Sequence, residues 1–134
     1  MPEIAFDTPP AQYRAGACNI GPAEIARRRR AGYAGVGAAV VLGVALLVLD
    51  APTTARLLVG VPLAGGAMGF LQARLRFCAG FGMAGVSNFG ALGSVERVED
   101  AEARRADRMK AFRISLAAAA IGGVGALAFA FLPL

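Results

Sequence analysis

Apolar residues gather in three long stretches that contain no charged side chain. The stretches cover residues 31–49, 57–73 and 114–134, which are 19, 17 and 21 residues long. An α-helix rises about 1.5 Å per residue, so the first stretch covers about 28 Å, close to a hydrocarbon core of roughly 30 Å. The pattern therefore predicts an all-α integral membrane protein with three transmembrane helices.

A fourth uncharged stretch, Phe77 to Gly93, is rich in glycine, and a crossing there would move the basic residues that follow it to the outside. It is therefore not predicted to cross the membrane. We expect it to lie in the membrane interface, with Phe77 and Phe81 one helical turn apart as an apolar anchor. Ser94 is then the predicted N-cap of a long charged helix. This helix starts at about Val95, extends into the cytoplasm and continues into the third span.

The predicted organisation has four parts. They are a cytoplasmic tail with a short interfacial helix (1–30), a transmembrane helical hairpin (31–73), a glycine-rich interfacial segment (74–94), and a charged cytoplasmic helix that continues into the third transmembrane helix (95–134).

The basic residues give these helices a direction. Of the 14 Lys and Arg residues, all but Arg56 lie in the tail or in the loop between the second and third spans. Cytoplasmic loops carry an excess of Lys and Arg, so the predicted orientation has the N-terminus inside and the C-terminus outside. The corresponding location is the bacterial inner (cytoplasmic) membrane, which the chain crosses several times. The residues expected to contact lipid headgroups are Arg27, Arg28, Arg29, Arg30, Arg74 and Arg76.

The net charge of +5 would raise nucleic-acid binding in a soluble protein. Here 57% of the residues are hydrophobic and the mean hydropathy is +0.58, so the charge is interpreted as a contribution to membrane orientation. The predicted partners are membrane lipids and larger membrane protein subunits, with no nucleic acid. A homo-oligomer remains open.

Small residues recur about every four positions in all three spans. Such stripes let helix backbones approach closely in lipid, where little hydrophobic drive acts between helices. The predicted packing residues are Gly35, Ala39 and Gly43 in the first span, Gly65 and Gly69 in the second, and Gly122 and Ala126 in the third.

Few side chains are suited to catalysis. The chain has no histidine, and the three spans hold no carboxylate, so the sequence predicts neither an enzyme nor a bound cofactor or metal. Cys18 and Cys78 are both predicted on the cytoplasmic face, as a redox pair or half of a metal site shared with another chain. The alternative is that each fills a gap beside glycines.

The favoured function is that of a small accessory or assembly subunit with a structural role in a larger membrane complex, such as a photosynthetic or respiratory one. Small size, uncharged spans and small-residue stripes all favour it. Two alternatives stay open: a self-associating channel or small-solute carrier, and a membrane thiol redox sensor that uses the two cysteines.

Overall fold

A computed structural model describes residues 12–133 and consists mainly of helices. Helix α1 is Pro22–Val48. The second long helix is made of α2 (Thr53–Arg56), a 3₁₀ turn (Leu57–Val59) and α3 (Gly60–Leu75). The third is α5 (Ala101–Ala130). Within residues 12–133, these three helices are long and apolar enough to cross a membrane, which confirms that part of the fold prediction.

The segment between α3 and α5 folds into a short helix and a small β-ribbon. Helix α4 covers Ala79–Ala84, and strands β1 (Val86–Ser87) and β2 (Glu96–Arg97) pair antiparallel. Val98 N also donates to Gly85 O at 2.8 Å. Residues 96–98 therefore use their backbone groups in the ribbon instead of in a helix.

Two predicted helix starts differ from the structure. Helix α5 begins at Ala101 and not near Val95, and its N-cap is Asp100, whose carboxylate accepts from Ala103 N at 2.9 Å, so the prediction for Ser94 is wrong. The predicted interfacial helix is not separate, because α1 opens with Pro22 and continues unbroken through the arginine cluster. Proline suits this place, since the first helical residues have no intrahelical acceptor for their N–H groups.

The helices run up, down and up, with α3 packed against both α1 and α5. One end of the bundle therefore collects the start of α1, the end of α3 and the start of α5. We call it the basic end, because every Lys and Arg of α1, α3 and α5 lies toward it, whereas Arg56 lies at the opposite end.

Phe77 is fully buried at the basic end, in a core cluster with Ala79, Ala111 and Ile114. The prediction that Phe77 anchors the chain in lipid is therefore wrong. The reason is that Arg76, with φ of 55°, takes the left-handed conformation that ends α3 and turns the chain back over the bundle. Phe77 N then donates to Gln72 O at 3.0 Å, which directs the ring inward.

Candidate functional site: a polar layer at the basic end

Asn19 fastens the N-terminal segment to the connection between α3 and α4. Its side chain donates to Cys78 O at 3.1 Å and accepts from Cys78 N at 2.7 Å. Its backbone N–H donates to Arg76 O at 3.1 Å. Asn19 has no exposed surface, so these bonds satisfy a polar side chain that water does not reach.

Glu24 is a buried carboxylate in the first turn of α1, with 1% of its surface exposed. Asn88 Nδ2 donates to its Oε2 at 2.9 Å, and Arg28 Nη1 lies 2.8 Å from its Oε1. The N–H groups of Arg28 are not aligned with Oε1, so among the described residues charge attraction and not a hydrogen bond holds this oxygen. Asn88 also joins the N-terminal segment through its backbone, since it donates to Asn19 O and accepts from Gly21 N.

Arg28 connects this carboxylate to Cys78. Its Nη2 donates to Cys78 Sγ at 2.9 Å, and its guanidinium carbon lies 5.5 Å from the centre of the Phe81 ring. Cys78 is 6% exposed, so the thiol is packed against a cation with little access for a dissolved reagent. Gln72 binds the residue that follows Cys78, because its Oε1 accepts from Ala79 N at 2.7 Å. We call this connected group the polar layer; it consists of Asn19, Glu24, Arg28, Gln72, Cys78 and Asn88.

Cys18 lies beside the polar layer. The structure brings its segment against residues 76–78 through Asn19, but both cysteines are free thiols. The Cys18 thiol donates to Ile20 O at 3.7 Å, whereas the Cys78 sulfur faces Arg28. Among residues 12–133, no group of three or more His, Cys, Asp or Glu side chains is placed to hold a metal ion.

A second buried carboxylate holds the segment that precedes Cys18. Asp107 of α5 has no exposed surface and accepts from Tyr13 Oη and from Gly16 N, both at 2.7 Å. Burial raises the pKa of the Tyr13 phenol above its usual value, and the hydrogen bond to Asp107 and the negative charge of that carboxylate raise it further. We call residues 12–20 the strap, because they run across the basic end and are held by Asp107 on α5 and by the polar layer.

The predicted packing residues occupy different environments. A Cβ atom on Gly35 would lie 2.9 Å from Pro62 O, and one on Gly69 would lie 2.5 Å from Gly32 N, so α1 and α3 touch through their backbones. A Cβ atom on Gly122 would lie 2.6 Å from Ala64 Cβ. Gly65 faces open space, and its neighbour Gly66 lies against α1 instead.

The other predicted packing residues also lie inside the bundle. Ala39 and Ala126 are buried, and a Cβ atom on Gly43 of α1 would lie 3.5 Å from Phe129 Cζ of α5. Among the arginines predicted to meet lipid headgroups, Arg28 is taken up by the polar layer and only 12% exposed. The exposed members of that set are Arg27, Arg29, Arg30, Arg74 and Arg76.

Sequence reasoning missed the long-range partners of the polar layer and the strap. Sequence spacing does not reveal that Asn19 pairs with Cys78, or that Asp107 pairs with Tyr13. It also does not reveal that Asn88 binds Glu24 in addition to the groups of its own turn. A signal for Asp107 does exist, because it shares a buried helix face with Ala103, Ala111 and Ile114 at spacings of four and seven residues. A carboxylate on such a face needs partners from another part of the chain.

Comparison with protein-family models, curated proteins and solved structures gives no match to this chain. Its class therefore rests on the fold. Three helices long and apolar enough to cross a membrane are consistent with a multi-pass membrane protein. The polar layer and the strap lie at the basic end of these helices.

Proposed function

We propose that this chain is an accessory subunit with a structural role in a larger membrane complex, inserted with its basic end in the cytoplasm of a bacterial cell. The observation that carries the proposal is that the buried carboxylates bind other parts of the same chain. Glu24 and Asp107 make hydrogen bonds and an ion pair that hold the strap, α1, α4 and α5 together. Such an arrangement stabilises a shape and leaves no carboxylate of the polar layer open to a substrate.

The bundle also offers another helix a place to pack. A cleft of about 440 Å³ lies between α3 and α5 and is lined largely by small residues, among them Gly60, Ala64, Ala119 and Gly123. A Cβ atom on Gly123 would meet nothing within 4 Å, so the backbone is open to a neighbour. Small residues at such a surface let a partner helix come into close van der Waals contact.

Gly123→Leu and Gly37→Leu form a matched pair to test this proposal. Neither glycine has an atom within 4 Å of its Cβ position, so the new side chain fits within the chain itself in both variants. Only Gly123→Leu fills the cleft between α3 and α5. The tagged full-length chain is extracted from its native membrane in mild detergent, and the mass and composition of the particle are measured.

We expect the wild-type chain and Gly37→Leu to be recovered in one defined particle with larger membrane subunits, and Gly123→Leu to be recovered largely without them. Recovery of the wild-type chain alone, or only with copies of itself, would overturn the proposal. Self-association would instead favour the channel or carrier alternative.

A thiol redox sensor is the second candidate, and the contact between Arg28 Nη2 and Cys78 Sγ favours it because it places a cation directly beside the sulfur. Its test compares Cys78→Ser with Cys18→Ser in cells exposed to peroxide. A sensor predicts that Cys78→Ser abolishes an oxidation-dependent change in the composition of the particle. An unchanged response in both variants eliminates this function.

A further inference from the structure

One face of the bundle carries three neighbouring apolar clefts that share wall residues. Clefts of about 340 Å³ and 320 Å³ both include Val36 of α1 and Leu63 of α3 in their walls. The second of these shares Leu71 with a third cleft, of about 120 Å³, between α3 and α5. We call these three neighbouring clefts the long groove.

The long groove runs through most of the membrane-spanning part of the bundle. On α5 its wall extends from Ile114 to Phe129, which corresponds to about 22 Å of helix. One leaflet of the hydrocarbon core is roughly 15 Å thick, so the groove is long enough to hold a whole acyl chain.

Three cations surround the end of the long groove that lies at the basic end. Arg74 lines the middle cleft, and Lys110 and Arg113 line the third one. Within the described residues, none of the three makes a side-chain hydrogen bond or an ion pair, whereas Arg28 and Arg104 do. Arg side chains bind phosphate oxygens through two parallel hydrogen bonds, and Lys adds a compact positive charge.

We propose that the long groove is a binding site for one anionic phospholipid. Its phosphate group is bound by Arg74, Lys110 and Arg113, and one acyl chain lies along the groove against Leu71 and Leu63. The apolar walls of the long groove match the acyl chain of this ligand, and its cationic end matches the phosphate group. A free phosphate matches only the cationic end, and an uncharged apolar molecule matches only the apolar walls.

The charge at the end of the long groove favours a lipid over a partner helix. The cations there match a phosphate group, and the apolar walls match an acyl chain. A thin acyl chain follows the groove without moving α1 or α5. The small-residue cleft beside Gly123 is a different surface, so this inference goes beyond the proposed function.

The absence of tryptophan in the chain gives a direct test. Ile121→Trp places a single fluorophore in the wall of the long groove, and Val124→Trp places one on the exposed side of α5 as the matched control. Each full-length variant is reconstituted in phosphatidylcholine vesicles with a minor fraction of phosphatidylglycerol. Bromine atoms, which quench tryptophan, are carried on the acyl chains of one lipid or the other.

We compare the two lipids at the same mole fraction of brominated lipid. We expect brominated phosphatidylglycerol to quench the Ile121→Trp variant with at least about a fivefold preference, since each cation near an anionic lipid favours binding by about this factor. The Val124→Trp control is expected to show no preference. The triple change Arg74→Gln, Lys110→Gln and Arg113→Gln removes the preference. A charge-matched triple change at Arg14, Arg97 and Arg105, none of which lines the groove, keeps it.

Equal quenching of Ile121→Trp by the two lipids would overturn the proposal, because it describes ordinary bilayer lipid. Quenching by neither lipid, with normal quenching of Val124→Trp, would also overturn it and would indicate that protein covers the groove. Mass spectrometry of the wild-type chain purified from its membrane gives an independent check, in which about one anionic phospholipid per chain is expected and loss of that lipid in the first triple variant supports the site.

Discussion

Asp107 and Glu24 are carboxylates with almost no exposed surface, and their environments compensate them differently. Asp107 receives two hydrogen bonds from neutral donors 94 and 91 residues away, whereas Glu24 is held by an amide and a guanidinium. Leaving a buried hydrogen-bonding group without its partner costs about 1–3 kcal/mol, so each carboxylate stabilises the fold only as long as its partners stay in place. Asp107 holds the first part of the strap, at Tyr13 and Gly16, whereas the buried Ile20 and the hydrogen bonds of Asn19 hold its end.

Asp107→Asn tests this dependence. The amide cannot accept from both Tyr13 Oη and Gly16 N as the carboxylate does, so the strap is expected to open more often. Hydrogen exchange of residues 12–20 is then roughly 5- to 150-fold faster, which corresponds to about 1–3 kcal/mol. Glu102→Gln removes the same charge from an exposed place on α5 and should leave exchange in the strap unchanged. Equal exchange in the two variants would contradict the role of Asp107.

Tyr13 makes the strap sensitive to alkaline pH. Its pKa is raised above the ordinary 10.0, first by burial and then by Asp107, so the folded state favours the protonated phenol. The resulting stabilisation is fully present below pH 10 and is lost as the pH rises through the higher pKa of the folded chain.

A Tyr33→Phe background leaves Tyr13 as the single tyrosine, so tyrosinate absorbance reports its titration directly. We expect a midpoint above pH 10 and a strap that exchanges faster beyond that midpoint. Asp107→Asn lowers the midpoint only part of the way, because burial, the largest cause, remains. A midpoint at or below pH 10 in the Tyr33→Phe chain is incompatible with the buried hydrogen bond.

At the scale of single residues, the sequence indicated which positions belong to the basic end but not how they pair. Cys18 and Cys78 were predicted on one face, and their segments do lie together. The partners of Asn19 and Asn88 are 59 and 64 residues away. Local spacing carries no information about such pairs. The turn preference of asparagine does hold for Asn88, which also donates to Ala91 O and accepts from Gly90 N.

At the scale of elements, α1 and α3 form an interface in which backbone meets backbone. Gly32, Gly35, Gly66 and Gly69 leave no room for a methyl group between the two helices. Close approach of this kind strengthens the van der Waals contact that holds helices together in lipid. A single added methyl group must therefore separate the helices or bend one of them.

Gly35→Ala and Gly37→Ala measure the importance of that interface. Both changes raise helix propensity equally, but only the first places a methyl group against the backbone of Pro62 and Gly66. We expect Gly35→Ala to destabilise the detergent-solubilised chain by about 1–3 kcal/mol relative to Gly37→Ala, measured by thermal unfolding followed by circular dichroism. If both variants unfold at the same temperature, the interface is less tightly packed than its geometry indicates.

The long helices could be predicted because a long uncharged stretch needs no tertiary information. The short elements could not. Helix α5 starts at Ala101 and not near Val95 as predicted, because residues 96–98 pair with β1 and Gly85. Ser94 and the acidic residues after it do not reveal this pairing. Similarly, periodicity alone did not distinguish Gly65 from Gly66, although only Gly66 faces α1.

At the scale of the whole molecule, charge and apolar surface are separated along the bundle axis. Large apolar side chains are exposed along the middle of the helices, among them Val41, Val61 and Val124. An apolar surface of this extent requires a covering such as lipid or another protein. The basic end carries all the Lys and Arg of α1, α3 and α5, and Arg56 alone marks the opposite turn.

This separation predicts a single orientation in the membrane. In a chain with Cys18→Ser and Cys78→Ser, one new cysteine is placed in α2 by Thr54→Cys or in β2 by Arg97→Cys; both positions are exposed. Because Lys and Arg favour the cytoplasmic side, a maleimide that cannot cross membranes should label Thr54→Cys in intact cells. It should label Arg97→Cys only after the cells are opened. The reverse labelling pattern would place the polar layer outside the cytoplasm, where Cys18 and Cys78 would meet an oxidising environment. Labelling of both positions in intact cells would mean that charge does not fix the orientation.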